Sequence, residues 1–190
     1  GETMKKILGI VGSPREHGNT HILVSRLLEG ARESGAETDI VMLGPLRIRE
    51  CDGCHVCWNG KPCVKKDDMA DVYARVAQSD AVVFGTPVYW YGPTALMKMM
   101  IDRFVYFNSP DNRAMVAGKN AALVIPLEET DPATWAPVVR FFEQSLGYLE
   151  MRIAGTIIAP GVYHKGDVLA HPDMLAEAFA LGKRLATAAG

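Results

Sequence analysis

A doubly wound α/β sandwich on a parallel sheet is the fold this sequence predicts. Two observations carry it. Five short apolar runs alternate with five longer amphipathic stretches, and three of the runs, Ile7–Val11, Ala81–Phe84 and Ala121–Ile125, are apolar throughout. Strands buried on both faces read that way, and such strands belong to parallel sheets covered by helices on each side.

Taken in order, the first strand is expected over Lys6–Val11 and the first helix over Thr20–Ser34. A second strand follows at Thr38–Leu43, and the spacing predicts a helix over Met69–Ala77. The third strand, Ala81–Thr86, leads to a helix over Thr94–Phe107 whose Leu96, Met99, Met100 and Phe104 recur on one face. Met97, Met99, Met100, Tyr106 and Phe107 together exceed one core stripe, so part of this helix is expected against a partner subunit, the alternative being that Met97 is merely a surface residue. Strands at Ala121–Pro126 and Ile153–Ala159 enclose a helix at Ala133–Leu146, and a last helix runs from Pro172 to about Thr187. There is no internal repeat, low-complexity tract or linker, so residues 1–190 read as a single domain. The one long irregular stretch, Gly44–Asp67, is an insertion, and a loop that long inside a compact domain is usually functional.

Composition narrows the function. Apolar residues make up 48% of the 190 and charged residues 22%, both ordinary for a globular chain. A formal net charge of −2 gives no electrostatic reason to expect nucleic acid or an anionic membrane as partner. No apolar run approaches membrane-spanning length, and the N-terminus lacks the apolar core of a signal peptide. Gly1–Thr3 read as a cloning remnant before a natural start at Met4, and a cytoplasmic, reducing location is expected.

All four cysteines fall in the insertion, as Cys51, Cys54, Cys57 and Cys63, with spacing C-x2-C-x2-C-x5-C. Thiolates this close can wrap an iron–sulfur cubane. Zinc also takes four thiolates, although structural zinc sites usually pair two C-x2-C knuckles across a longer gap. Four thiols without metal are the third reading. His55 lies within the run and Asp67-Asp68 just after it; the first reads as a solvated loop residue, the second as a helix N-terminus.

Two loops after strands carry the other signal. The first is Gly12–Thr20, where Ser13, Arg15, Gly18, Asn19 and Thr20 precede a helix. Such a turn aims backbone N–H groups and a helix dipole at one spot, which suits a phosphate. There is no G-x-x-x-x-G-K-S/T and no G-x-G-x-x-G, which disfavours nucleoside triphosphates and Rossmann-type dinucleotides and leaves a mononucleotide phosphate. A plain helix cap is the alternative. The second loop holds Pro87, Val88, Tyr89, Trp90, Tyr91 and Gly92. In strand order 2-1-3-4-5 the two loops flank the topological switch point, where ligands bind. The aromatics suit a flat heteroaromatic ring, or else they pack on the core or a partner subunit. Glu128-Glu129 follows the fourth strand at the same edge, as pocket lining or a solvated tip.

Ser13-Pro-Arg-x3-Asn19-Thr20 and Pro87-Val-Tyr-x2-Gly92-Pro93-x8-Asp102-Arg103 resemble the NADPH-dependent FMN reductase superfamily, of flavodoxin-like fold. The cysteine run resembles that of the iron–sulfur flavoproteins within it. The resemblance implies a three-layer sandwich with FMN bound at the two loops, backbone N–H groups of Tyr89 to Gly92 reaching the flavin N5 or O4. It also implies a 4Fe–4S cluster on the four cysteines and a homodimer or homotetramer. The function it implies is an NAD(P)H-dependent flavin, quinone or iron-linked reductase with no side-chain acid, base or nucleophile. Electrons would come from NAD(P)H or a ferredoxin-like donor and leave to a small-molecule or protein acceptor. A non-enzymatic electron carrier and a zinc- or thiol-sensing protein on the same fold are the competing readings.

Overall fold

The computed structural model describes residues 4–188, so the expected remnant Gly1–Thr3 lies outside the described residues. In chain order the elements are β1 (Lys6–Val11), α1 (Asn19–Glu33), β2 (Glu37–Met42), α2 (Met69–Gln78), β3 (Ala81–Gly85), β4 (Val88–Tyr89), β5 (Gly92–Pro93), α3 (Ala95–Asp102), β6 (Asn120–Pro126), α4 (Pro132–Tyr148), β7 (Arg152–Ala159) and α5 (Pro172–Thr187). The large sheet is parallel with order β2-β1-β3-β6-β7. The expected order 2-1-3-4-5 needs correcting on this point. Residues 88–93 form a separate antiparallel hairpin of two-residue strands, so the fourth and fifth sheet strands are the sixth and seventh of the chain.

Alternation along each strand divides the core. Leu8 and Ile10 of β1 join Val82 and Phe84 of β3 in one cluster with residues of α2, α3 and α4. Ile7 and Val11 face the opposite way, into a cluster with Leu23, Val24, Leu27 and Leu28 of α1 and Leu181 and Leu185 of α5. Helices α1 and α5 approach backbone to backbone. A Cβ on Gly30 would overlap the Phe179 carbonyl, and one on Gly182 the Leu27 carbonyl, so the crossing needs glycine on both sides.

The helix expected over Thr94–Phe107 ends its α-helical turns at Asp102 and continues as a 3₁₀ segment through Asn108. Tightening toward three residues per turn rotates the apolar stripe. Met97, Met100, Ile101, Phe104 and Phe107 are buried, while Leu96 and Met99 are only partly so. Met97, Met100 and Phe107 therefore fill this subunit's own core, while Met99 and Tyr106 stay partly exposed.

Because the sheet is parallel, the loops after β1, β2, β3, β6 and β7 all leave from one edge. That edge carries the candidate sites. No helix among the described residues is long and apolar enough to cross a membrane.

Candidate functional site

The loop after β1 is fixed to the loop after β3 through buried groups. The N–H of Gly12 donates to the Gly85 carbonyl at 2.7 Å, and Thr94 Oγ1 donates to the Gly12 carbonyl. Thr94 also accepts from the N–H of Met97 at 3.2 Å, capping α3, and its own N–H donates to Thr86 Oγ1 at 3.1 Å. Thr86 and Thr94 are buried. Sequence reading took Thr94 for the first residue of a helix. Its second role depends on a contact 82 residues away and leaves no local signal.

Helix α1 begins at Gly18 with no side-chain cap and no acidic residue in its first turn. Its first internal bond runs from the N–H of Ile22 to the Gly18 carbonyl at 3.0 Å. The N–H groups ahead of it form the positive end of a 15-residue helix, a ready anion site. Ser13 and Thr20 are buried beside this end. Ser13 Oγ accepts from the N–H of Arg15 at 3.1 Å, which shapes the turn. His17 sits at φ 56°, and its N–H donates to His21 Nδ1 at 3.1 Å. That bond needs an unprotonated Nδ1, and burial, with the neighbouring His17, pushes the His21 imidazole below its usual pKa.

Asn19 takes a different part from the phosphate donor expected of it. Its Nδ2 donates to the His164 carbonyl at 2.9 Å and its Oδ1 accepts from the N–H of Val168 at 3.1 Å. Arg15 donates to the Tyr163 carbonyl at 2.9 Å. Together they dock the loop after β7 against the loop after β1.

A cleft of about 420 Å³ lies between these loops. Ser13, Arg15, Asn19, Thr20, Pro87, Val88, Tyr89 and Trp90 line it together with Glu128. Gly18, Tyr91 and Gly92 are not in the lining: Gly18 caps α1, and Tyr91 and Gly92 belong to the hairpin. The cleft also uses Pro126, Leu127, Val162 and Tyr163, which sequence reading missed because the loop after β7 carries no motif. A second cleft of about 460 Å³ shares Ser13 and Tyr89 and reaches Gly44 and Pro45 at the root of the insertion.

The hairpin that covers the cleft is strained. Trp90 (φ 50°) and Tyr91 (φ 63°) both hold left-handed backbone, where bulky residues are outliers. Trp90 is 96% exposed, while Tyr89 closes toward Ser13 in both clefts.

In the insertion, all four cysteines line one small cavity of about 20 Å³, with Tyr73, Lys65 and Arg103. Cys57 is buried, Cys51 and Cys63 partly so, and Cys54 is exposed; none forms a disulfide. Burial and the neighbouring thiols push the Cys57 thiol pKa up. Among the described residues no group of three or more His, Cys, Asp or Glu is placed to hold a metal ion. His55 is exposed beside Trp58, with ring centroids 5.1 Å apart.

The root of the insertion is held by charge. Arg103 Nη1 donates to Asp67 Oδ2 and to the Arg49 carbonyl, each at 2.8 Å, and Nη2 donates to Asp67 Oδ1 at 3.2 Å and to Cys63 Sγ at 3.3 Å. Both side chains are almost fully buried. Burial opposes the charge on each, but their mutual bonds win: the Asp67 carboxyl is held below its usual range and the guanidinium above its own. Asp67 also accepts from the N–H groups of Arg49 and Met69, so the expected helix N-terminus is present but secondary. Farther out, Lys65 donates to Asp52 at 2.9 Å, and this bond brings the exposed carboxyl down to about 2.

The family described as NADPH-dependent FMN reductase matches residues 5–128. An iron-sulfur flavoprotein of Methanocaldococcus jannaschii is 37% identical over 98 residues, covering 52% of this chain and 51% of that protein. One from Archaeoglobus fulgidus is 35% identical over 120 residues, covering 63% and 53%. The chain thus spans about half the length of the iron-sulfur flavoproteins it matches. A Bacillus subtilis protein named as an NAD(P)H-dependent FMN-containing oxidoreductase is 27% identical over 183 residues, covering 94% and 97%. Among solved structures, the NAD(P)H:quinone oxidoreductase from Methanothermobacter marburgensis superposes with TM-score 0.70 at 17% identity over 96% of this chain and all of that one, a likeness of fold.

Proposed function

The chain belongs to the NADPH-dependent FMN reductase family, and we propose that it is an NAD(P)H-dependent FMN oxidoreductase with an iron–sulfur cluster in its cysteine loop. The observation that carries the flavin part is the cleft at the switch point: an uncapped helix N-terminus and two buried hydroxyls at one end, a strained aromatic hairpin at the other. These residues fit FMN. Ser13, Thr20 and the first turn of α1 would hold its phosphate, with Arg15 adding charge. Pro87 to Trp90 would flank the ring, and the backbone N–H groups of this hairpin would set its polar edge.

When bound, FMN would supply the hydride and electron-transfer chemistry, with Ser13, Thr20 and Arg15 at its phosphate and Pro87 to Trp90 at its ring. The protein's part is to orient and exclude water. Val88, Leu127 and Val162 give the cleft apolar walls, and the bonds of Asn19 and Arg15 keep the loop after β7 closed over it.

The donor set of the cysteine cavity, four thiols lining one space, is that of a cluster. Cys51, Cys54, Cys57 and Cys63 would hold it, and it would supply one-electron transfer. At about 20 Å³ the cavity now has room for roughly one water. Loading would therefore widen the loop.

We further propose a single domain that works in solution in a reducing compartment as a homodimer or homotetramer, with a small-molecule or protein acceptor. FMN-loaded protein is expected to oxidise NAD(P)H when an acceptor is added. FMN-loaded protein that takes electrons from reduced ferredoxin yet leaves NAD(P)H untouched would contradict this reading.

A further inference from the structure

We propose that Arg103 is the buried counter-cation of the cysteine site, a positioning residue that holds Cys63 and sets the reduction potential of the group bound there. The inference rests on the cluster reading above. Arg103 is 1% exposed, and it lines the same cavity as all four cysteines. Its two terminal nitrogens make four bonds, to Asp67 twice, to the Arg49 carbonyl and to Cys63 Sγ. Its Nε has no partner among the described residues.

A buried N–H without an acceptor is costly, and a guanidinium has five donors to satisfy. An anionic sulfur entering the cavity, from a displaced thiolate or an inorganic sulfide, would supply the missing acceptor. Charge points the same way. Four thiolates and their sulfides leave a cluster negative, and reduction adds one electron with no compensating cation. A fixed guanidinium in low dielectric favours the more negative, reduced form. Lys65 also lines the cavity, but its partner is the exposed Asp52 and it makes no bond to a thiol. Only Arg103 donates to a cysteine sulfur among the hydrogen bonds of the described residues.

A chain of bonds then joins the cysteine loop to the core. Tyr73 Oη donates to the Arg103 carbonyl at 2.8 Å, and Tyr73 stacks on Tyr106 with centroids 4.3 Å apart. The backbone that carries the guanidinium is thereby tied to Tyr73 of α2.

The test is a dithionite titration of anaerobically reconstituted protein, with iron and sulfide assayed beforehand. Arg103→Gln should move the midpoint to more negative potential. Asp67→Asn keeps an oxygen that can accept from the Met69 N–H but leaves the guanidinium uncompensated, so it should move the midpoint to more positive potential. Arg103→Lys should fall between Arg103→Gln and the wild type. A merely structural role predicts no opposed shifts: unmoved midpoints, or shifts of one sign in Arg103→Gln and Asp67→Asn, would overturn the inference. If Arg103→Gln does not fold, as shown by loss of bound FMN, Asp67→Asn decides alone, and an unshifted or more negative midpoint overturns it. Wild-type protein that takes up no iron overturns the cluster reading and the inference together. Iron-loaded protein with unmoved variants overturns only the inference.

Discussion

The cleft proposed for flavin and the cysteine loop leave the same edge of the sheet, yet they are built by different forces. The cleft is held by backbone groups and buried threonines tied straight to the strands: Gly12 to Gly85, Thr94 to Gly12, Thr94 to Thr86. Those bonds run from protein to protein, and a cleft of about 420 Å³ lies between the loops they join. The cysteine loop is held at its root by side-chain charge, Arg103 on Asp67, and its cavity is nearly closed. The first cavity is open as built, and the second is nearly closed. Short loops on a rigid sheet pay little ordering entropy, while a long insertion relies on cross-links.

The largest test of this contrast is Ser13→Asp. A carboxylate beside the helix N-terminus repels a phosphate, so FMN retention should vanish while iron uptake is unchanged. Measured flavin content equal to wild type would mean the phosphate lies elsewhere. Next, Thr94→Val strands the Gly12 carbonyl and the Met97 N–H. It should cost about 1–3 kcal/mol of stability by denaturant titration and weaken FMN binding.

Acid should strike the other region. The folded Asp67 carboxyl has a pKa below its unfolded value. Its stabilising contribution is therefore full above the unfolded value near pH 4 and is lost as pH falls through the folded one. Wild-type melting temperature should drop over that acidic window more steeply than that of Asp67→Asn, and parallel curves would contradict the assignment. The smallest effect is expected at the hairpin. Replacing Trp90-Tyr91 by Asn-Gly relieves two left-handed residues and should stabilise the fold by roughly 1 kcal/mol. A loss of FMN affinity alongside would show that the strain serves the ring.

These tests also mark where sequence reading succeeds. Ile7–Val11 and Ala121–Ile125 are legible because burial on both faces writes itself into consecutive residues. Once the sheet is parallel, Ser13, Thr20 and Tyr89 must meet at one edge. Asp67 shows the opposite case. Beside Asp68 it reads as a helix start, and its partner Arg103, 36 residues away, sits inside a helical pattern. Thr94, Val162 and Tyr163 were hidden for the same reason, since their roles come from tertiary contacts that leave no periodicity. The hairpin at 88–93 escaped because two-residue strands are too short to show alternation.

The most direct test of the account is the cofactor content of anaerobically reconstituted protein. The account predicts one FMN together with roughly four iron and four sulfide per chain. Flavin accompanied by zinc, or by no metal after reconstitution, would contradict the two-site account.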